Sequence, residues 1–261
     1  MTFLLHEYLE RMNSLIRKEV ALFFSVCIPT VRPTTLSAAV ESVLRQSFED
    51  FELIVVGQGD AGEAMRSVVE SVAGSDSRVR YVHSDRRGLC VARNLAVRET
   101  TSPWVVFMDD DCEAADDWLL RMSGLCSDGV EFVCGSLHSP PLKPKRLSVC
   151  PSVHPTELTF VLKSGIEPPI GFGLLGANMA LHRSLLNRVG SFDEHMGAGS
   201  DFQGGEEHDY IIRAAELGIT VRCSSRPAMH HTFGIRSGLR AVFAYKRERI
   251  RGVVLWPPSK H

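Results

Sequence analysis

Three consecutive carboxylates, Asp109, Asp110 and Asp111, directly follow the apolar run Val105-Val-Phe-Met108. A short apolar run with β-branched residues predicts a strand buried on both faces of a sheet. Because an unpaired buried carboxylate is costly, we expect the strand to end here and the aspartates to reach water or a cation. In extended chain, residues two apart point the same way, so Asp109 and Asp111 can approach one ligand while Asp110 points elsewhere. Such oxygen ligands suit Mg²⁺ or Mn²⁺, and an ordinary acidic loop that caps the next helix is the alternative.

A second acidic cluster, Glu206-Glu-His-Asp209, follows two glycines and precedes a segment with helical spacing that ends at Gly218. Acidic residues are favoured at a helix N-terminus by the helix dipole, so a purely structural role is one interpretation. Glu207, however, shares a helical stripe with Ile211 and Ala214, which must face the sheet. A carboxylate on that face either caps the backbone or faces a cleft, where partial burial would raise its pKa toward that of a general base.

The elements that position these clusters alternate regularly along the first half of the chain. Helical and strand patterns follow one another, which predicts right-handed βαβ units, a mostly parallel sheet covered on both faces, and an α/β fold. The predicted strands are 23–28, 52–56, 79–83 and 105–108, and the predicted helices are 36–46, 61–73 and 89–100. Beyond the aspartates the spacing predicts a helix over 118–126, strands over 130–137, 176–181 and 219–223, and a turn at Pro227.

The topology predicts where a ligand binds. In open α/β sheets, ligands lie beyond the carboxyl ends of the strands, so segments 29–32, 57–60, 84–88 and 109–111 should line one crevice. No G-x-G-x-x-G and no P-loop follows any predicted strand, so a glycine-rich helix start does not hold phosphates here. A metal ion held by carboxylates is the remaining common way to neutralise a diphosphate.

Composition sets the outer limits. The chain has 261 residues, of which 44% are hydrophobic, and a net charge of -2, which predicts no general affinity for nucleic acid. Its 7 cysteines form no C-x-x-C, so neither a disulfide framework nor a zinc site is indicated, and a reducing compartment is expected. Because no run of about 18 apolar residues occurs, we expect a cytoplasmic protein that is at most peripheral to the membrane.

The chain divides into three predicted parts. Residues 1–20 have the spacing of an amphipathic helix, residues 21–235 hold the α/β domain, and residues 236–261 form a basic amphipathic extension. The terminal helices can pack on the domain, contact a membrane surface or form a homodimer, and the sequence leaves these alternatives open.

Several motifs taken together resemble family 2 glycosyltransferases of the GT-A fold, over about residues 22 to 235. The resemblance implies transfer of a sugar from a nucleoside-diphosphate donor, with a UDP-sugar favoured, to a saccharide, lipid-linked or small-molecule acceptor. It also implies inversion at the anomeric carbon and a Mn²⁺ or Mg²⁺ ion on the diphosphate. The motifs that carry it are Ser25-Val-Cys-Ile-Pro-Thr30, Glu52-Leu-Ile-Val-Val56, Gly88-Leu-Cys-Val-Ala-Arg-Asn94, Phe107-Met-Asp-Asp-Asp111, Gly176-Ala-Asn-Met-Ala180, Gly190-Ser-Phe-Asp-Glu194 and Gly205-Glu-Glu-His-Asp209.

The resemblance also implies roles for the two acidic clusters. Asp111 would be the metal ligand and Asp109 would be shared between the ribose and the metal. Glu207 would be the base that deprotonates the acceptor hydroxyl, with Glu206 as the second candidate. Of the adjacent histidines His230 and His231, one would complete the metal shell or contact the diphosphate, and His231 is preferred. The donor contacts expected in the crevice are Pro29, Thr30, Arg32, Gln58, Asp60, Arg93, Asp109 and Asp110.

The sequence departs from the family pattern at the expected nucleobase site. The family usually has an aspartate just after the second strand, whereas this chain has Gly57-Gln58, so Gln58 or Asp60 would substitute. Arg93 would contact either a donor phosphate or a structural ion-pair partner. Two other functions stay open at this stage, namely a nucleotidyltransferase on a similar sheet and a nucleotide-sugar binding protein without catalysis.

Overall fold

The computed structural model describes residues 22–139, 148–149, 152–231 and 236–237. The helix predicted over 1–20 lies outside these residues. So does the extension predicted over 236–261, except for one two-residue strand. None of the helices in the described part of the chain is long and apolar enough to cross a bilayer.

Strands and helices alternate as predicted through the first half of the chain. In the described residues the strands are β1 (Phe24–Thr30), β2 (Phe51–Gln58), β3 (Val79–Ser84), β4 (Trp104–Phe107), β5 (Cys112–Ala114), β6 (Phe132–His138), β7 (Ser148–Val149), β8 (Leu158–Leu162), β9 (Met179–His182), β10 (Ile219–His231) and β11 (Arg236–Ser237). The helices are α1 (Leu36–Leu44), α2 (Gly62–Ala73), α3 (Leu89–Arg98), α4 (Trp118–Leu125), α5 (Arg183–Val189) and α6 (Glu206–Ala215).

The main sheet has two halves of different character. Its strand order is β3-β2-β1-β4-β9-β6-β10-β5, with β8 paired to β10. The first four strands are parallel, which confirms the predicted βαβ units. In the second half, β9 runs antiparallel to both β4 and β6, and β5 runs antiparallel to β10. The α/β prediction is therefore confirmed, and what the local patterns do not predict is the antiparallel pairing in the second half.

Two hydrophobic layers cover the faces of the sheet. Helices α1, α2 and α4 pack on one face, and helices α3, α5 and α6 pack on the other. Adjacent residues of β1 show how the strand serves both layers, since Val26 and Ile28 belong to the first and Cys27 to the second. This two-sided burial explains why the parallel strands are continuously apolar in sequence.

Two strands continue through prolines: β1 runs past the predicted strand end at residue 28 and includes Pro29, and β10 includes Pro227. β1 pairs with β4 only as far as Cys27, so Pro29 lies where that side of the strand is open and its missing N–H is tolerated. β10 extends to His231 because a register shift between Cys223 and Ala228 accommodates Pro227. The turn predicted at Pro227 is therefore wrong, and the longer strand carries His231 to the crevice edge.

Asn178, just before β9, links α4, β6 and β10 through a buried side-chain amide. Its Oδ1 accepts a hydrogen bond of 2.9 Å from Trp118 Nε1, and its Nδ2 donates to Ser136 O at 2.8 Å and to Pro227 O at 3.3 Å. Because the site is buried, these groups have no water to replace a lost partner.

We predict that Asn178→Ala lowers the free energy of unfolding by about 2–4 kcal/mol, since it leaves buried polar groups unpaired and opens a cavity. Urea unfolding followed by circular dichroism measures this loss. The matched control is Asn187→Ala on the exposed side of α5, for which a change within about 0.5 kcal/mol is expected. Equal effects of the two substitutions would contradict the assignment of Asn178 as a structural link.

Candidate active site

The predicted site residues meet where the parallel strands end. Thr30 and Gln58 are the last residues of β1 and β2, and the aspartates follow β4. Arg93 connects this edge to the N-terminus of α6, because it contacts both Asp109 and Glu206. Glu207 is the next residue of α6. The segments that the topology predicts to lie together therefore meet at one edge of the sheet.

The three aspartates form a turn, so their side chains diverge. Cys112 N donates to Asp109 O at 3.2 Å, and Asp110 and Asp111 have turn geometry. The premise of extended chain is therefore wrong, because alternation of side chains applies to strands and not to turns. Each carboxylate therefore contacts different residues.

Asp110 anchors the turn to β1. Thr30 Oγ1 donates to its Oδ2 at 2.6 Å, and Arg32 Nη2 donates to its Oδ1 at 2.8 Å. Burial raises the pKa of Asp110 above its ordinary value, while the hydrogen bond from Thr30 and the charge of Arg32 oppose the rise. Thr30, Arg32 and Asp110, all expected to contact the donor, thus contact one another.

Asp111 lies beside His231 and Cys112 and forms a candidate cation site with them. One oxygen, Oδ2, accepts from Arg32 Nη2 at 3.0 Å, while Oδ1 is 4.0 Å from His231 Nε2 and 4.0 Å from Cys112 Sγ. The ligand atoms of the three residues lie within 4.8 Å of one another. This oxygen, nitrogen and sulfur set fits a divalent cation.

The structure brings together only part of the predicted metal set. Asp111 and His231 are adjacent, whereas Asp109 is not among the residues of the described chain that cluster with them. His230 points away from the cluster and stacks on His138 at 5.2 Å between ring centroids. Sequence reasoning missed Cys112, because its approach to His231 depends on the register of β5 and β10.

Arg93 is buried between the two acidic clusters, with 1% of its side chain exposed. Its Nη1 donates to Glu206 Oε1 at 3.2 Å, and its Nη2 lies 3.7 Å from Asp109 Oδ1. Burial disfavours the charged guanidinium, but the two carboxylates more than offset this effect and raise the pKa of Arg93 above its ordinary value. Arg93 therefore forms the ion pair that was one of its two predicted roles, the other being contact with a donor phosphate.

The surroundings of Arg93 leave little space for movement. Its Cζ lies 5.6 Å from the Phe107 ring centroid and 5.7 Å from that of Phe192. A Cβ atom at Gly176 would lie 2.6 Å from Arg93 Nη2. The glycine of the Gly-Ala-Asn motif is thus explained by close approach to a buried guanidinium.

Glu206 and Glu207 are adjacent but lie in different electrostatic environments. Glu206 holds the ion pair with Arg93, and Glu207, 12% exposed, lies 3.9 Å from His208 Nδ1. Burial and the neighbouring Glu206 carboxylate raise the pKa of Glu207 to about 8, which the charge of Arg93 opposes. A carboxylate with such a pKa can accept a proton near neutral pH.

The loop before α6 is fixed to α3 by Asn94. The side chain of Asn94 accepts from Phe192 N at 2.9 Å and donates to Phe192 O at 2.9 Å, and Leu89 N donates to Ala198 O at 2.9 Å. Arg86 and Asn94 both donate to Glu194. The Ala-Arg-Asn and Ser-Phe-Asp-Glu motifs are therefore in direct contact in the structure.

The expected nucleobase contacts lie in two different environments. Gln58 is buried, and its side chain forms two hydrogen bonds with the backbone of Gly88. Its Nε2 donates to Gly88 O at 2.8 Å, and its Oε1 accepts from Gly88 N at 3.4 Å. Asp60 is exposed and lies 3.4 Å from Arg87 Nη2. Pro29 is buried within β1 and pairs with Val56. Gln58 thus holds the segment that leads into α3.

Comparison with known proteins gives a match over most of the domain. Residues 25–190 match the family model described as Glycosyl transferase family 2. The chain is 26% identical over 200 residues to the glucosyl-dolichyl phosphate glucuronosyltransferase of Haloferax volcanii, which is 73% of this chain and 59% of that protein. The matched stretches cover between 11% and 59% of the first curated relatives, so the chain spans only part of their length.

Solved structures with the same fold include enzymes with bound nucleotide sugars. One is the mannosyltransferase PcManGT from Pyrobaculum calidifontis in complex with GDP-Man and Mn²⁺, with a TM-score of 0.64, 18% identity, and coverage of 90% of this chain and 63% of that one. Another is S. aureus TarS in complex with UDP-GlcNAc, with a TM-score of 0.61, 16% identity, and coverage of 84% and 60%. At these identities the likeness shows the fold, and the predicted GT-A fold is confirmed.

We predict that Arg93→Met lowers the free energy of unfolding by about 3–5 kcal/mol near neutral pH, because it leaves two buried or half-buried carboxylates without their cation. The loss should be smaller at about pH 5 than at about pH 8, since burial raises the pKa of Asp109 to about 6 and its protonation removes one uncompensated charge. Chemical denaturation at both pH values measures it. Arg121→Met, which breaks only the exposed pair with Asp117, is the control and should cost at most about 0.5 kcal/mol. A loss independent of pH would contradict the electrostatic explanation.

Proposed function

The chain belongs to glycosyl transferase family 2, and on this premise we propose that it is a metal-dependent, inverting glycosyltransferase. It moves a sugar from a nucleoside-diphosphate donor to an acceptor hydroxyl. The observation that carries the proposal is the difference between the two glutamates at the start of α6. Arg93 pairs with Glu206, while the adjacent Glu207, 12% exposed, has a pKa raised to about 8.

The proposed chemistry assigns one task to each acidic group. Glu207 takes the proton from the acceptor hydroxyl as that oxygen attacks the anomeric carbon, opposite the leaving diphosphate. Asp111 and His231 would hold Mn²⁺ or Mg²⁺, which when bound would neutralise charge on the diphosphate. Asp109, at 35% exposure, is accessible from the crevice and is proposed to contact the donor ribose.

Donor and acceptor are proposed from the relatives together with the site. The neighbouring structures hold GDP-Man and UDP-GlcNAc, which supports a nucleoside-diphosphate sugar, and a UDP-sugar remains our preferred donor. Because the side-chain amide of Gln58 already forms two hydrogen bonds with Gly88, we assign the nucleobase contact to Asp60 and not to Gln58. The name of the Haloferax relative, with its dolichyl phosphate, supports a lipid-linked saccharide acceptor.

The proposed setting follows from that acceptor. A lipid-linked saccharide is presented at a membrane surface, so we propose a cytoplasmic enzyme that acts peripherally on the membrane. The division into residues 1–20, 21–235 and 236–261 is part of this proposal, with the terminal parts as candidates for membrane contact or dimer formation.

We predict that Glu207→Gln lowers kcat by about 10²–10⁴-fold while donor affinity stays within about threefold, because the amide keeps the size of the side chain but accepts no proton. A coupled assay of nucleoside-diphosphate release and calorimetric titration of the donor measure the two effects. Asp209→Asn, on the same turn but paired with Arg213 at the surface, is the control and should retain wild-type turnover. Unchanged turnover in Glu207→Gln would reject Glu207 as the base.

The pH profile of the wild-type enzyme provides a second readout of the same assignment. A base with a raised pKa is mostly protonated below that value, so kcat/KM should rise with pH and level off above about 8. In Glu207→Gln the residual activity should not show this rise. A non-catalytic nucleotide-sugar binder would bind the donor but show no turnover in either protein.

A separate prediction concerns the metal. Asp111→Asn should weaken Mn²⁺-dependent donor binding by at least about 10-fold, because it removes a charged oxygen ligand. Calorimetric titration of nucleoside diphosphates with Mn²⁺ and with a chelator measures the effect. Asp116→Asn, at an exposed position, is the control. Donor binding that is insensitive both to the chelator and to Asp111→Asn would refute the metal site.

A further inference from the structure

Cys112 and His231 form a directly opposed pair on neighbouring antiparallel strands. The register of β5 and β10 places His231 opposite Cys112 and His230 opposite Glu113. Directly opposed residues on antiparallel strands point to the same face, with Cβ atoms about 4.5–5.5 Å apart. The backbone pairing therefore fixes a thiol and an imidazole side by side.

Asp111 completes the group from the turn just before β5. Arg32 holds its Oδ2 at 3.0 Å, which leaves Oδ1 directed at the other two residues, at 4.0 Å from His231 Nε2 and 4.0 Å from Cys112 Sγ. Such fixing of a carboxylate by a neighbouring donor is typical of metal sites, where it orients the ligand. Cys112 is 1% exposed and His231 is 8% exposed, so access to the group is from the Asp111 side.

The spacing of the three ligand atoms suits one cation. Two ligand atoms at Zn–N and Zn–S distances of about 2.0–2.3 Å, in tetrahedral arrangement, lie about 3.5 Å apart. Asp111 Oδ1 is 4.0 Å from each of the other two ligand atoms, and all three atoms lie within 4.8 Å of one another, so about 0.5–1.3 Å of contraction would bring them around one ion. By contrast, Cys134 and Cys223 have sulfurs 3.3 Å apart but are not joined by an imidazole or carboxylate in the described residues.

We propose that the Cys112 thiolate is a third protein ligand of the cation site and that the site prefers thiophilic divalent ions. On binding, a sulfur–metal bond forms, the S–H bond breaks and the proton leaves to solvent. Sulfur donors favour Zn²⁺, Co²⁺ and Cd²⁺ over Mg²⁺, which prefers an all-oxygen shell. Three protein ligands leave a fourth position open, as in catalytic zinc sites. This inference rests on the proposed function, in which Asp111 and His231 hold the cation.

For the enzyme, the consequence is a specific hierarchy of cations at one site. Zn²⁺ would occupy the position of Mn²⁺ with higher affinity, because the imidazole and thiolate both favour it. Mg²⁺ would be the weakest of the three, since only one of the three ligand atoms is an oxygen. The choice of cation would therefore depend on Cys112 and not only on the aspartates.

Titration of the 261-residue chain with Co²⁺ tests the proposal without reference to activity. Wild type should bind one equivalent with a near-ultraviolet band from sulfur-to-cobalt charge transfer. Cys112→Ser should lose that band while the weaker visible cobalt bands remain. The matched control, Cys126→Ser, removes a thiol outside the cluster and should keep the band. Competition against Co²⁺ should show the advantage of Zn²⁺ over Mg²⁺ falling by about 10–100-fold in Cys112→Ser.

The outcomes separate this inference from the proposed function. Two results would overturn the role of Cys112 and leave the metal site in place. One is visible cobalt bands without a charge-transfer band in wild type, and the other is a charge-transfer band that survives in Cys112→Ser. Absence of Co²⁺ and Mn²⁺ binding in wild type would reject both. If Cys112→Ser does not fold, X-ray absorption of wild type with one equivalent of Zn²⁺ decides, since one sulfur at about 2.3 Å is expected and a shell without sulfur would overturn the proposal.

Discussion

The structure of the site depends on one buried cation between two acidic clusters that are far apart in sequence. Arg93 comes from α3, and it holds Asp109 at the end of β4 and Glu206 at the start of α6. A buried guanidinium is stable only while its charge is compensated, so the three elements are constrained to meet. Gly176 is part of the same constraint, because a side chain there would occupy the space of the guanidinium. The geometry of the crevice therefore follows from the need to neutralise Arg93.

Two arginines divide the carboxylates of the site between them. Arg93 contacts Asp109 and Glu206, while Arg32 contacts Asp110 and one oxygen of Asp111. Glu207 is left with burial and a negative neighbour, which raise its pKa to about 8. The other oxygen of Asp111 is left facing an imidazole and a thiol. The same pairing of charges that stabilises the fold thus separates a proposed base from a proposed cation site.

The sequence predicts the parallel half of the fold well, because each βαβ unit is encoded locally by apolar strands and amphipathic helices. It predicts the antiparallel half poorly. The residues of β9 have a strand pattern, but nothing local specifies that β9 lies between β4 and β6. For the same reason the sequence predicts the cluster at Asp111 only in part: the family resemblance points to His231, whereas nothing in the sequence points to Cys112. Its partner lies 119 residues later, and only strand register brings them together.

The turn at the three aspartates explains why consecutive identical residues have different roles. The chain leaves β4 in the parallel half and enters β5, which runs antiparallel to β10, so its direction must change within those residues. In a turn, successive side chains point in different directions, and each aspartate meets what lies there: Arg93, then Thr30 and Arg32, then His231. An extended segment would have placed the first and third on one side. The change of strand direction, and not the acidic composition alone, therefore creates three distinct carboxylate environments at the edge of the crevice.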